Sequence, residues 1–321
     1  MEPDPQPQPV NPIRRWLRWI LPFAVSIALL SWLFARTDFT GVVDKVDIRI
    51  LLIMIPALLL YGAFSLWVEA QSLMRVMASS GQPVDAVTCA RAKAASYLYA
   101  IVHYTVGAGV LAVLLKRRTQ IRLADTTGAV AFISVLDLIV LLFIAALGGA
   151  LLASREPALQ LGLVLGGVAV LVGGFAFLRA PIPLGNLLER VRDFALFRAV
   201  RTTPLPTLLE LIGFRFLFVT SFMGIAVVAL LAFHIHIPLG DMVVGFTAVS
   251  LIAALPIAVS GLGTGQATWL FVFRHWSDPE TLLASSLVLS LGLILLRAGM
   301  GVLFAHELTR EALDAAREVD A

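Results

Sequence analysis

The chain has 321 residues, 59% of them hydrophobic and 14% charged, and a mean hydropathy of +0.92, the composition of a helical polytopic membrane protein that leaves no soluble domain of useful size. Its one cysteine, Cys89, excludes an internal disulfide and a cysteine-based metal site. The net charge of +3 and pI near 9.3 point to membrane topology and not to nucleic acid, because the basic residues sit between apolar runs.

Met1 to Pro12 is polar and proline-rich, with no pattern that could bury a core, so residues 1–13 read as a disordered tail. Arg14, Arg15 and Arg18 flank an apolar run from Trp16 to Ala35. It closes in Trp32-Leu-Phe-Ala-Arg-Thr instead of the small residues of a signal-peptide cleavage site, and is expected to stay as the first helix. A second span is expected from Ile50 to Val68, leading into Arg75, Arg91 and Lys93, a basic stretch that the positive-inside rule makes cytoplasmic. The apolar segment Ala94 to Leu115 is followed at once by Lys116, Arg117, Arg118 and Arg122. A full crossing would put one of these basic clusters on the wrong side, so a re-entrant hairpin is expected, with its tip in His103-Tyr-Thr-Val-Gly-Ala-Gly109.

Two further spans, Gly128 to Ala153 and Leu159 to Leu178, are joined by the turn Ser154-Arg-Glu-Pro157, and Gly162xxxGly166 would let another helix approach the second. The loop 179–208 is the most basic part of the chain. Leu187, Val191, Phe194 and Phe197 recur there near helical spacing, as in an amphipathic helix on an anionic leaflet, although a solvated connector fits as well. A sixth span is expected from Glu210 to Phe233, followed by an outer loop with His234, His236 and Asp241. The segment Met242 to Phe273 then leaves and returns on the outer side, and a last helix from Thr281 to Ala305 precedes a cytoplasmic tail, 309–321.

Within that outer segment lies Leu255-Pro-Ile-Ala-Val-Ser-Gly-Leu-Gly-Thr-Gly-Gln266. A straight helix has no use for Pro256 followed by Gly261, Gly263 and Gly265, and irregular backbone at membrane depth persists only against protein or water. The run is expected to be the tip of a second re-entrant hairpin. The resulting fold class is an all-α polytopic membrane protein with six spanning helices and two oppositely oriented re-entrant hairpins in an inverted repeat, 14–153 against 154–308, with both termini cytoplasmic in the cell (inner) membrane. Binding sites in such repeats lie where the broken helices meet.

Leu255 to Gln266 resembles the Pro-Ile-Ser-x-x-Gly-Leu-Gly-x-Arg-Glu hallmark of the transmembrane part of lysylphosphatidylglycerol synthases and their stand-alone flippase-like relatives. Gly107-x-Gly109 with the basic run behind it, and Val135-Leu-Asp-Leu138, resemble that family's first-half motifs. The resemblance implies movement of a lipid between leaflets, with the aminoacyl transfer done by a separate soluble domain that this sequence is expected to lack. The chain departs from the pattern in three places. Gly265-Gln266 stands where the family has Arg-Glu, Ser134-Val135 stands where it has Glu-Arg, and the first hairpin has no proline from His103 to Gly109. Aminoacyl-lipid specificity is therefore not carried over.

Charge inside a span is expensive, about 2.5 to 3.5 kcal/mol per group on insertion scales, so such groups face protein or water. Asp137 and Arg297 have matched depths and are expected to form a structural ion pair, with a head-group contact as the other role of Arg297. Arg215, one and a half turns into its span, is the candidate phosphate ligand, and Arg91 and Lys93 could join it, with snorkelling to the interface as the other reading of all three. The head-group site is completed by Ser260, Gly261, Gly263, Thr264 and Gln266 at one tip and His103, Gly107 and Gly109 at the other, where free N–H groups could hold phosphate.

No catalytic residue, metal or cofactor is expected. His234-x-His236 has no third ligand nearby, and Ser260 has no histidine at its own depth to act as a base, since His275 and His306 lie near opposite interfaces. The leading function is a lipid translocator acting on membrane lipids, an anionic phospholipid or a lipid-linked substrate, with a homodimer or a lipid-modifying enzyme as possible partner. The competing one is a non-transporting subunit that anchors or regulates such an enzyme.

Overall fold

A computed structural model of the chain describes residues 26–29, 31–33, 35, 39–79, 81–101, 104–119, 123–151, 157–179, 203–254 and 262–319. These residues form no strand. The helices are α1 (Phe39–Asp44), α2 (Ile48–Ser79), α3 (Ala86–Ala100), α4 (Tyr104–Thr119), α5 (Leu123–Leu151), α6 (Pro157–Arg179), α7 (Leu205–Ala232), α8 (Leu239–Ala254), α9 (Thr264–Phe273) and α10 (Pro279–Val319).

Four stretches, Ile48–Ser79, Thr126–Gly148, Leu205–Ala232 and Pro279–Phe304, are long and apolar enough to cross a membrane, and α6 and α8 hold shorter apolar stretches, Pro157–Ala169 and Leu239–Ala253. The outward faces carry side chains such as Leu52, Leu60, Leu295 and Leu303, all well exposed to the surroundings of the chain. With no water to compete for backbone groups in hydrocarbon, this all-helical, apolar-sided bundle is a multi-pass membrane protein. More than half of the expected first span, Trp16 to Ala35, lies outside the described residues, as does most of the basic loop 179–208.

Local signals set the helix ends. The Asp85 carboxylate accepts a hydrogen bond from Thr88 N–H at 2.8 Å and caps α3, and Asp278 accepts one from Thr281 N–H at 2.9 Å ahead of Pro279, the first residue of α10. Gly81 (φ +78°) follows α2, where Gln82 N–H returns to Met77 C=O at 3.1 Å. His234 does the same job after α7. It takes the left-handed region (φ 58°), and Ile235 N–H reaches Leu230 C=O at 2.9 Å, so this histidine is a helix stop.

The helices run on past the expected spans Ile50–Val68 and Thr281–Ala305, although the apolar stretch of the last, Pro279–Phe304, agrees with the expected one. α2 continues without a break to Ser79 and α10 to Val319. The α2 extension buries Ala70, Leu73, Val76 and Met77 while Gln71 and Arg75 stay half-buried, so it buries a face although its average polarity reads as a flank.

The segment Ala94 to Leu115 does break. α3 and α4 are 15 and 16 residues long, about 22 to 24 Å at 1.5 Å per residue, and pack on each other. A Cβ on Gly107 would lie 2.5 Å from the Cβ of Ala100, which measures how closely the two helices meet. α8 and α9 form a second pair of 16 and 10 residues, with Gly245 of α8 lying against the Phe273 ring of α9. Across the bundle α2 packs on α7, α3 on α10, and α8 on α5.

Two apolar cores result. One gathers Met54, Leu58 and Tyr61 of α2, Val140 and Leu141 of α5, Val219 and Ile225 of α7, and side chains of α8, α9 and α10. The other gathers Ala70, Leu73 and Met77 of α2, Cys89 and Ala92 of α3, Leu111 and Leu115 of α4, Phe132 and Leu136 of α5, and Leu211 of α7. Along α2, α5 and α7 the change from one core to the other falls at Glu69, Asp137 and Arg215.

Candidate head-group site

Those three residues and Lys93 of α3 form a charged layer between the cores. The Arg215 guanidinium is wholly buried; its Nη1 lies 3.4 Å from Asp137 Oδ1 and 3.6 Å from Glu69 Oε2. Its Nη2 donates to Ser72 Oγ at 2.6 Å and to Val68 C=O at 3.3 Å, while Ser72 Oγ donates to the same Val68 carbonyl at 2.8 Å. Lys93 Nζ reaches Glu69 Oε2 at 3.0 Å. Glu69 thus bridges the two cations, and Arg215 bridges the two carboxylates.

Glu69, Arg215 and Asp137 lie about 15 to 17 Å along their helices from Ser79, Leu205 and Thr126, at 1.5 Å per residue. At that depth a stranded charge is costly, and breaking a buried pair by deleting one partner costs about 3 to 5 kcal/mol. The Phe218 ring lies 5.1 Å from the Arg215 guanidinium carbon, and Nε of Arg215 is buried with no hydrogen-bond partner among the described residues.

The expected Asp137–Arg297 pair does not form. Asp137 meets Arg215, whereas the Arg297 guanidinium lies over the ring of Tyr97 at 5.9 Å from its centroid. Matched depth leaves the azimuth of each helix open. Here α10 packs chiefly on α3, α9 and α2 and α5 chiefly on α6, α4, α7 and α8, with α2 and α7 lying against both, so residues at one level on α5 and α10 meet different neighbours. Lys93 does join Arg215, through Glu69, and its own Nζ lies 5.8 Å from the same Tyr97 ring. Arg297 is half-buried and has no hydrogen-bond or ion-pair partner among the described residues.

Near that end of the bundle Arg75 closes the seam of α2 and α7. Its Nε donates to Glu210 at 2.7 Å, its Nη1 to the Gln71 side chain at 2.7 Å, and its guanidinium covers the Phe214 ring at 4.5 Å.

The second tip is held by neutral groups. Gly263 (φ +87°) precedes α9, and its N–H donates to Gln266 Oε1 at 2.6 Å. Gln266 Nε2 donates to Ser290 Oγ of α10 at 3.1 Å, and Trp269 Nε1 to Ser285 Oγ at 3.2 Å. A Cβ on Gly263 would stand 2.8 Å from Leu29 Cβ, so the tip also touches the helical turn at Ser26–Leu29. Thr264 is buried as the first residue of α9, and its carbonyl accepts from Thr268 Oγ1 at 2.8 Å. Gly107 is the contact point of α3 and α4, whereas Gly109 has open space around it. His103, Ser260 and Gly261 lie outside the described residues.

Sequence reasoning missed Glu69, Ser72 and Tyr97. Ending the second span at Val68 made Glu69 look like a flanking charge. Had the helix been carried on to the Gly81 stop signal, Glu69 would have stood out as a carboxylate ten residues inside a helix.

The profile of the lysylphosphatidylglycerol synthase TM region matches residues 19–296 of the chain, which include all four residues of the charged layer and end one residue before Arg297. A search of curated proteins finds no match.

Proposed function

The chain belongs to the family of the lysylphosphatidylglycerol synthase TM region, and from that premise we propose that it is a lipid translocator. On this reading a phospholipid or lipid-linked head group passes between leaflets along a path between two re-entrant hairpins, α3–α4 and α8–α9. The observation that carries the reading is the charged layer. Four ionisable groups from four helices meet between two apolar cores, with the half-buried cation of Arg297 in the same part of the bundle. A protein that only anchors an enzyme gains nothing from charge at that depth, which is costly to bury and easily replaced by apolar packing.

Neighbour relations support an inverted repeat. The order long helix, short pair, long helix occurs twice, as α2, α3–α4, α5 and as α7, α8–α9, α10. Equivalent elements make equivalent contacts: α2 meets α7, the first pair meets α10 as the second meets α5, and α2 with α10 mirrors α7 with α5. On the positive-inside rule both termini and the mouth of the first hairpin are cytoplasmic in the cell (inner) membrane.

The test is reconstitution of the purified protein into vesicles with fluorescent phospholipid in both leaflets. Membrane-impermeant reductant should quench the inner-leaflet pool faster in protein-containing vesicles than in empty ones. Equal rates would reject translocation and favour the anchoring role. Single cysteines at positions 90 and 119, in a background lacking Cys89, should label from one side together. Labelling from opposite sides would remove the first hairpin and the repeat with it.

A further inference from the structure

The ion pairs of the charged layer are not shared evenly. Lys93–Glu69 lies within the first half of the chain, whereas both links to the second half, Glu69–Arg215 and Asp137–Arg215, end on one guanidinium. Glu69 has two cations, at 3.0 and 3.6 Å, while the ion-pair partner of Asp137 among the described residues is Arg215 alone, at 3.4 Å. The side chain of Arg215 is fully buried and that of Glu69 only 8% exposed, but Asp137 keeps 25% of its side chain open. It does so about 17 Å from the end of its span at Thr126. Carboxylates that stay open at such depth face a polar path, and they mark routes for protons and ions.

Among the described residues, the ionisable side chains within electrostatic reach of Asp137 are Arg215 of α7, Glu69 and Tyr61 of α2 and Lys93 of α3. Of the other helices packed on α5, α6 and α8 carry ionisable residues only near one end, Arg179 and Asp241, and α4 only at its two ends, Tyr104 and Lys116 to Arg118. A metal cation takes several oxygen ligands and is repelled by a guanidinium 3.4 Å away, whereas a proton needs one lone pair of one carboxylate oxygen.

We propose that Asp137 is a proton-binding residue that couples translocation to a proton gradient. A proton from water on one side binds an Asp137 carboxylate oxygen, which ends the ion pair with Arg215 and leaves Glu69 as the one carboxylate tying the two halves together at this level. The halves then shift against each other with one ionic link fewer. The proton leaves to water on the other side as Arg215 regains its second carboxylate. Throughout the exchange the Arg215 guanidinium keeps Glu69, Ser72 Oγ and Val68 C=O as partners, so no cation is stranded. This inference rests on the translocator reading and names its energy source.

The experiment uses the full chain in vesicles with a trace of acyl-labelled phosphatidylethanolamine or phosphatidylglycerol, the membrane potential clamped and a gradient of one pH unit imposed. It compares Asp137→Asn and Asp137→Glu with the parent. One proton moved per lipid builds a ratio of about tenfold between the leaflets at that gradient. The parent should reach it for a transported lipid, Asp137→Asn should leave the leaflets even, and Asp137→Glu, which keeps an ionisable oxygen, should restore the ratio. Infrared spectra give a readout independent of transport: a carboxylic-acid carbonyl component that grows as pH falls in the parent, is missing from Asp137→Asn and is displaced in Asp137→Glu. If the Asn variant does not fold, the parent and the Glu variant carry both measurements. A parent that equilibrates lipid evenly under the gradient, or an Asn variant that keeps the tenfold ratio, overturns the inference while translocation stands. If neither lipid moves, the translocator reading falls and the infrared component decides the proton site: its assignment to position 137 sustains the site, and its absence overturns it.

Discussion

The two short-helix pairs share a shape and differ in how they are held. The first sends Lys93 to Glu69 in the charged layer and is closed by the contact of Gly107 with Ala100. The second is fastened by Gln266 to Gly263 and Ser290 and by Trp269 to Ser285, with no ionised group in those bonds. Charge in a low-dielectric interior binds strongly and tolerates no missing partner, whereas neutral hydrogen bonds are each worth about 1 kcal/mol net. The first pair is therefore expected to be the sensitive side of the molecule and the second the adjustable one.

The largest test of that contrast is Arg215→Ala. It strands Asp137 and removes one of the two cations on Glu69, and should lower stability by about 3 to 5 kcal/mol in detergent unfolding. Asp137→Ala added to it should cost much less than the sum of the two single changes, because the orphaned carboxylate is gone. Strict additivity in that cycle would mean that the two groups do not interact, and the layer would have to be redrawn.

Backbone crowding comes next. A Cβ on Gly107 meets Ala100 main-chain atoms at 2.8 and 2.9 Å, which cannot move aside as a flexible side chain would, so Gly107→Val should cost about 1 to 3 kcal/mol and slow translocation. Gly263→Ala combines positive φ with a contact to Leu29 and should cost a similar amount, about 1 to 3 kcal/mol, for a different reason. Normal stability and transport in both variants would show that neither pair needs its close approach.

On the neutral side, Gln266→Ala should cost about 1 to 2 kcal/mol in the same unfolding measurement through loss of the Gly263 cap and the Ser290 bond. Gln266→Glu keeps the acceptor for Gly263 N–H and gives up only the donor to Ser290, so it should cost less than Ala. A larger loss with Glu would mean that this tip does feel the charge of the layer.

The smallest effect belongs to Asp278 at the start of α10. Partial burial pushes its carboxyl up, but hydrogen bonds from Thr281 N–H and Oγ1, with the Lys45 ammonium 3.9 Å away, outweigh it and hold the group below the ordinary aspartate value. A depressed carboxylate adds stability that is present above the ordinary value and lost as pH falls through the depressed one. Unfolding followed from pH 7 down into the acid range should therefore show a loss in the parent that is missing in Asp278→Ala, a cap worth about 0.5 to 1 kcal/mol. An identical acid limb in the two proteins would deny Asp278 that role.

Much of the fold was legible because hydropathy, basic flanks and helix breakers are local properties. The apolar runs marked the long helices, although their ends at Ser79 and Val319 lay beyond the apolar windows. The charge conflict around Ala94 to Leu115 marked the break between α3 and α4. Asp137, Arg215 and Arg297 stood out as charges inside spans, and Gln266 as a polar residue beside a run of glycines.

What sequence alone determined was the element type and the approximate depth of each charge, since both follow from composition along one chain direction. Which charges meet was decided by tertiary structure. Depth fixes only one coordinate of a side chain, and the rotation of each helix about its own axis is set by packing against others. That rotation turned Asp137 toward Arg215, brought Glu69 between Arg215 and Lys93, and left Arg297 against the Tyr97 ring, outside ion-pair distance of Asp137.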